Sequence, residues 1–166
     1  MDPSYITPFI TSIRNVFSTM LQLELEVGQP TIKKTSGTLY DVSGIIGMNG
    51  DVQGSVVLSI QGETAIRIVA LFTGEEMTLE NPDFADAIGE LLNMVCGGAK
   101  ALFPGNSVNI SIPSVVTGKE HQVSQPKDAP CVVIPCSCDC GELAIEIAIK
   151  TVQKQSADSN SAATTA

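Results

Sequence analysis

Tryptophan is absent from this chain, and all aromatics together make up 4% of it. Because 43% of the residues are apolar, the core must be assembled from Ile, Val, Leu, Met and Ala, which favours a tightly layered α/β arrangement. Basic residues are scarce as well: 9 Lys and Arg stand against 18 Asp and Glu, for a formal charge of −9. No Lys/Arg cluster provides the counterion-releasing surface that a phosphate backbone needs, which argues against nucleic acid as a partner. An acidic surface suits a solvated cytosolic protein, or a partner with exposed Lys or Arg. No apolar run approaches the roughly 20 residues that cross a bilayer, and the N-terminus lacks the basic-then-apolar pattern of a signal peptide. The expected location is cytoplasmic, with no membrane partner. Five Cys, an odd number without an export signal, point to reduced thiols rather than a disulfide scaffold.

What is present fits one domain, since a single core serves chains of up to about 200 residues. Apolar residues at Ile6, Phe9, Ile10, Ile13, Phe17 and Met20 mark one face of a first helix from Ser4 to about Leu23. After Gly28-Gln29-Pro30 come short β-prone runs, then Val42, Ile46 and Met48 at even positions, a turn at Asn49-Gly50-Asp51, and Val52, Val56, Leu58 and Ile60 on the same parity. That pattern predicts a hairpin. Gly62 to Phe72 reads as a short helix stopped by Gly74, and Asn81-Pro82-Asp83 starts a long one that runs to about Leu102. Val108 to Val116 reads as a strand broken at Pro113, which an edge strand or a bulge accepts. Cys131 to Cys140 and Leu143 to Ile149 form a second hairpin, turning near Gly141. The order helix, strand, hairpin occurs twice, which suggests a pseudo-duplicated α/β domain of the α+β type. Its antiparallel sheet would join both hairpins, with two long helices packed on one face. Residues 1–152 are assigned to this domain and 153–166 to a low-complexity C-terminal tail with no apolar anchor.

The long helix from Asn81 carries the chemistry. At about 100° per residue, Asp86, Glu90, Asn93, Gly97 and Lys100 fall within roughly an 80° sector. Phe84, Ile88, Leu91, Val95, Ala99 and Leu102 occupy the opposite side and face the core. A solvated helix face is the plain explanation of such a stripe. However, Asn is a mediocre helix residue, and Gly97 and Gly98 each cost about 1 kcal/mol against Ala, which makes sense if a backbone or helix must approach closely. A carboxylate one turn from a carboxamide lacks a strong nucleophile, a base or a metal-ligand set, so it cannot drive unaided hydrolysis. It suffices where the substrate is already activated and needs only an aligned water.

Asp86-x-x-x-Glu90-x-x-Asn93, within DAIGELLNMVCGGAK, resembles the signature of the chemotaxis phosphatases CheC and CheX and the related flagellar switch phosphatases. ISIPSVVTGKEH, from Ile110 to His121, is similar to the segment that follows this helix in that family, and GELAIEIAIK to its last strand. The resemblance implies a hydrolase whose substrate is a phosphorylated CheY-type response regulator. Asn93 would orient the attacking water and Glu90 would contact the regulator's active-site Lys. Asp86, Gly97 and Lys100 would line the partner surface. No cofactor is implied for this chain; Mg²⁺ is expected in the partner receiver domain. The resemblance also implies a homodimer. Family members with two sites carry the motif on both long helices, but aligning Asn15 with Asn93 puts Ser12 at the Glu position and Pro8 at the acidic one. Only one site is expected.

Other readings stay open at this level. The same helix could dock a receiver or a flagellar switch protein as a non-catalytic adaptor. Cys136, Cys138 and Cys140 alternate along one strand, where core packing competes with a metal or redox site. Cys96 reads as packing. His121, the lone His, follows Gly118-Lys119-Glu120 and reads as an ordinary surface residue rather than a base.

Overall fold

A computed structural model describes residues 2–105, 107–119 and 121–152; the expected tail at 153–166 lies outside the described residues. Helix α1 spans Pro3–Leu21 and is capped by Asp2, whose side chain accepts from the Ser4 N–H. Strands β1 (Glu26–Val27), β2 (Thr31–Ile32), β3 (Val42–Gly50) and β4 (Val52–Ile60) follow. Next come α2 (Gly62–Thr73), α3 (Pro82–Ala101), β5 (Val108–Ile110), β6 (Ser114–Thr117), β7 (Val132–Cys138) and β8 (Gly141–Thr151). Gly74 ends α2 at φ 79°, a left-handed position that glycine adopts without strain. Among the described residues no helix is long and apolar enough to cross a membrane.

Every strand pairing is antiparallel, in the order β1-β7-β8-β4-β3-β5, with β2 also on β7 and β6 also on β3. The two hairpins meet along β4 and β8, from Val52 opposite Thr151 to Ile60 opposite Leu143. Each half lends its extra strands to the other: β1 and β2 pair with β7, and β5 and β6 pair with β3. Such reciprocity is what a duplicated unit produces when its copies are related by a pseudo-twofold axis between the central strands. It gives the repeated element order a spatial counterpart.

One face of the sheet carries Val42, Ile46, Val56, Leu58, Ile60, Ile134, Leu143, Ile145 and Ile147, all buried beneath the helices. Helices α1 and α3 lie antiparallel above it. Phe103, just past α3, meets Tyr5 and Phe9 of α1 edge-on at 5.3 and 5.7 Å between ring centroids. Ser12 of α1 is buried and donates its hydroxyl to the Val95 carbonyl of α3 at 2.6 Å. The other face of the sheet is covered by the loops before β3 and before β7. Buried Glu146 of β8 accepts there from Lys33 at 2.8 Å and from Gln125 at 3.0 Å.

Candidate functional site

Asn81 caps α3 by accepting from the Asp83 N–H, Pro82 occupies the first turn, and Lys100 sits in the last, opposite the helix dipole's negative end. The buried side of α3 is wider than its apolar spacing suggested, comprising Phe84, Ala87, Ile88, Gly89, Leu91, Leu92, Val95, Cys96 and Ala99. Contacts with α1, α2 and the sheet together account for that width. Leu102 departs from the expectation: it is the C-cap and stays 53% exposed, because the helix ends before it can reach the core.

What remains open to solvent is the expected stripe. Asp86 and Glu90 are exposed, and Asn93, Gly97 and Lys100 are half-buried. Among the described residues, no hydrogen bond or ion pair holds the Glu90 or Asn93 side chain. A carboxylate and a carboxamide one turn apart are therefore available to a partner. They lie on the solvent-facing side of a helix, a setting that suits a macromolecular substrate bringing its own pocket.

The two adjacent glycines divide. A Cβ on Gly98 would sit 3.3 Å from the Ser12 Cβ and closer still to its hydroxyl, so Gly98 is there for the approach of α1. A Cβ on Gly97 would meet nothing within 4 Å. Nothing inside the molecule explains that glycine. A third glycine marks the border of the stripe: a Cβ on Gly89 would come within 3.2 Å of Pro113, so α3 rests directly on the edge-strand segment there. Sequence reasoning missed this contact, although Gly89 beside Glu90 was a visible signal of close approach.

Helix α1 offers no second stripe. Ser12, at the position aligned with Glu90, is buried, while Asn15 is exposed. The other candidates fall elsewhere. Cys136 and Cys140 are buried in the core, and Cys138 packs beside it, though Cys140 lies in the turn beyond β7. Burial pushes the thiols of Cys96 and Cys136 up to about 12, leaving them protonated and unreactive near neutrality. Among the described residues no group of three His, Cys, Asp or Glu is placed to hold a metal ion. His121 is not an ordinary surface residue: Nε2 lies 2.7 Å from the Ser43 hydroxyl and Nδ1 2.7 Å from the Gly118 carbonyl. It pins a loop to the sheet face opposite α3, away from Glu90 and Asn93.

Residues 42–137, more than half of the chain, match the family model described as chemotaxis phosphatase CheX. The chain belongs to the chemotaxis phosphatase CheX family. Its class is accordingly that of a phosphatase, a hydrolase. The CheY-P phosphatase CheX of Thermotoga maritima is 29% identical over 126 residues, covering 74% of this chain and 81% of that protein. A CheC-like superfamily protein from Shewanella sp. PV-4 superposes with a TM-score of 0.81 at 35% identity, over 90% of this chain and 99% of that one. A chain from the CheX-CheY-BeF3-Mg²⁺ complex of Borrelia burgdorferi gives 0.69 at 26% identity, over 88% and 97%. Both structural likenesses extend over about nine-tenths of this chain.

Proposed function

We propose that this chain hydrolyses the aspartyl phosphate of a CheY-type response regulator, with Glu90 and Asn93 entering the regulator's active site from α3. The observation that carries the reading is the unpartnered pair of exposed Glu90 and half-buried Asn93 on the solvent-facing side of α3, in a member of a phosphatase family. An aspartyl phosphate is an activated acyl phosphate, so positioning does most of the catalytic work. Asn93 accepts a hydrogen bond from a water and holds it in line with the phosphorus. That water attacks, the bond from phosphorus to the carboxylate oxygen breaks, and the products are aspartate and inorganic phosphate. Glu90 pairs with the receiver's active-site Lys and fixes the register of the two proteins. Mg²⁺ belongs to the receiver, since Asp86 and Glu90 alone make an incomplete ligand set. Asp86, Gly97 and Lys100 contact the receiver around this pair. The family resemblance also favours a homodimer built through the sheets; a monomeric mass at micromolar concentration in sedimentation would overturn that part.

Phosphate release from phosphorylated receivers encoded near this chain tests the central reading. Wild-type chain accelerates release, and Asn93→Ala loses about 100-fold or more of the stimulated rate while still binding, the scale of a lost positioned group. Unchanged turnover in Asn93→Ala would sink the mechanism. Binding with release at the spontaneous rate would establish an adaptor instead.

A further inference from the structure

Ile112 is 88% exposed, against 53% or less for the other exposed large apolar residues. A single exposed apolar side chain is ordinary in itself. Its setting is not. Met48 pairs with Ile110, and Ile45 with Ser114, so four steps along one strand oppose three along β3. The extra residue makes a bulge at 111–113, a device that re-aims side chains at sheet edges and beside functional sites. Ser111 fastens the bulge with three hydrogen bonds. Its N–H donates to the Gly47 carbonyl at 2.9 Å, its hydroxyl accepts from the Gly47 N–H at 2.9 Å, and the hydroxyl donates to the Ile112 carbonyl at 3.1 Å. Pro113 then packs on Gly89, the neighbour of Glu90 and one turn from both Asp86 and Asn93. A rigid, β-branched side chain is thus held out into solvent at the border of the stripe.

The stripe itself is polar. Asp86, Glu90 and Asn93 can orient a partner but bury little apolar surface, whereas protein interfaces draw most of their affinity from a few desolvated anchors. We infer that Ile112, backed by Pro113, is the apolar anchor on which a receiver domain seats when its phosphoryl site meets Glu90 and Asn93. The inference rests on the proposed phosphatase reading, and the occupant follows from continuity with that site. Because the bulge is already fixed by Ser111 and Pro113, little ordering is left to oppose binding.

The test measures binding of a CheY-type receiver loaded with Mg²⁺ and beryllofluoride, alongside phosphate release from the phosphorylated receiver. Ile112→Ala should raise Kd and KM about tenfold, the scale of removing most of a buried Ile side chain, with kcat unchanged. Ile112→Asp should weaken both at least as much. Ile32→Asp, a 53% exposed position on β2 at the far side of the sheet, should leave both at wild-type values, and all three variants should keep the wild-type Tm. Wild-type affinity in Ile112→Ala and Ile112→Asp would overturn the anchor while Asn93→Ala still lost turnover, leaving the phosphatase reading standing. Should wild-type chain bind without releasing phosphate, the binding arm alone decides the anchor and the phosphatase reading falls separately.

Discussion

Substituting each of the two adjacent glycines of α3 by Ala should move stability in opposite directions. In a helix interior, Ala gains about 1 kcal/mol over Gly. At Gly97 that gain is unopposed, because an added Cβ has open space around it. Gly97→Ala should therefore raise Tm by about 2 to 4 °C in a domain of this size. At Gly98 the same methyl enters the space of Ser12, whose hydroxyl is buried and engaged with the Val95 carbonyl. Overpacking costs about 1 to 3 kcal/mol, and rotating Ser12 away forfeits a hydrogen bond of about 1 kcal/mol. The net loss is about 1 to 3 kcal/mol, so Tm should fall by about 2 to 12 °C. Removing the obstructing hydroxyl should relieve much of this, making Gly98→Ala less costly in a Ser12→Ala background, with a coupling of about 1 kcal/mol. Urea unfolding of the four variants and the wild type measures the whole cycle. Equal shifts for Gly97→Ala and Gly98→Ala, or no coupling to Ser12, would refute the assignment of one glycine to α1 and the other to the open face. The stabilised Gly97→Ala chain should also bind the receiver more weakly, a combination that a purely structural glycine would not produce.

Two further outcomes follow from buried groups. Lys33→Met removes the cation from Glu146, which is 1% exposed, leaving a buried carboxylate with Gln125 as its remaining strong donor. Unfolding free energy should drop by about 3 to 5 kcal/mol, and Lys33→Met/Glu146→Leu should recover most of it; a loss below about 1 kcal/mol from the single change would contradict the buried pairing. The thiols of Cys96 and Cys136, pushed up to about 12 by burial, ionise near 8.5 once the chain unfolds. The unfolded state then sheds those protons first, so stability should be intact below about pH 8.5 and decline as pH rises toward 12. At pH 8 an aromatic disulfide reagent should label both thiols far faster in denaturant than in buffer, and equal rates would show that they are accessible in the folded protein.

Local rules carried much of this protein. The cap at Asn81, the stop at Gly74, the alternation of Val42 to Ile60 and the Asn49-Gly50-Asp51 turn each depend on neighbours a few residues apart, so helices and hairpins were legible in order. The spacing of Asp86, Glu90 and Asn93 likewise follows from the helical repeat alone. Tertiary packing decided the rest, because it depends on residues far apart in the chain. Gly97 and Gly98 look alike in the sequence, and only the approach of Ser12, more than eighty residues earlier, separates them. His121 reads as a surface residue, yet its loop folds onto the face of the sheet that presents Ser43, and the two side chains meet there. Glu146 stands in an otherwise apolar strand, and its cation comes from the loop carrying Lys33, over a hundred residues away. The sequence by itself determined which helix bears the polar stripe and which residue types it offers. What stands at its border, Pro113 against Gly89 with Ile112 held out beside them, was decided by the one-residue mismatch between β3 and its two edge partners, a register that exists only once the sheet has formed.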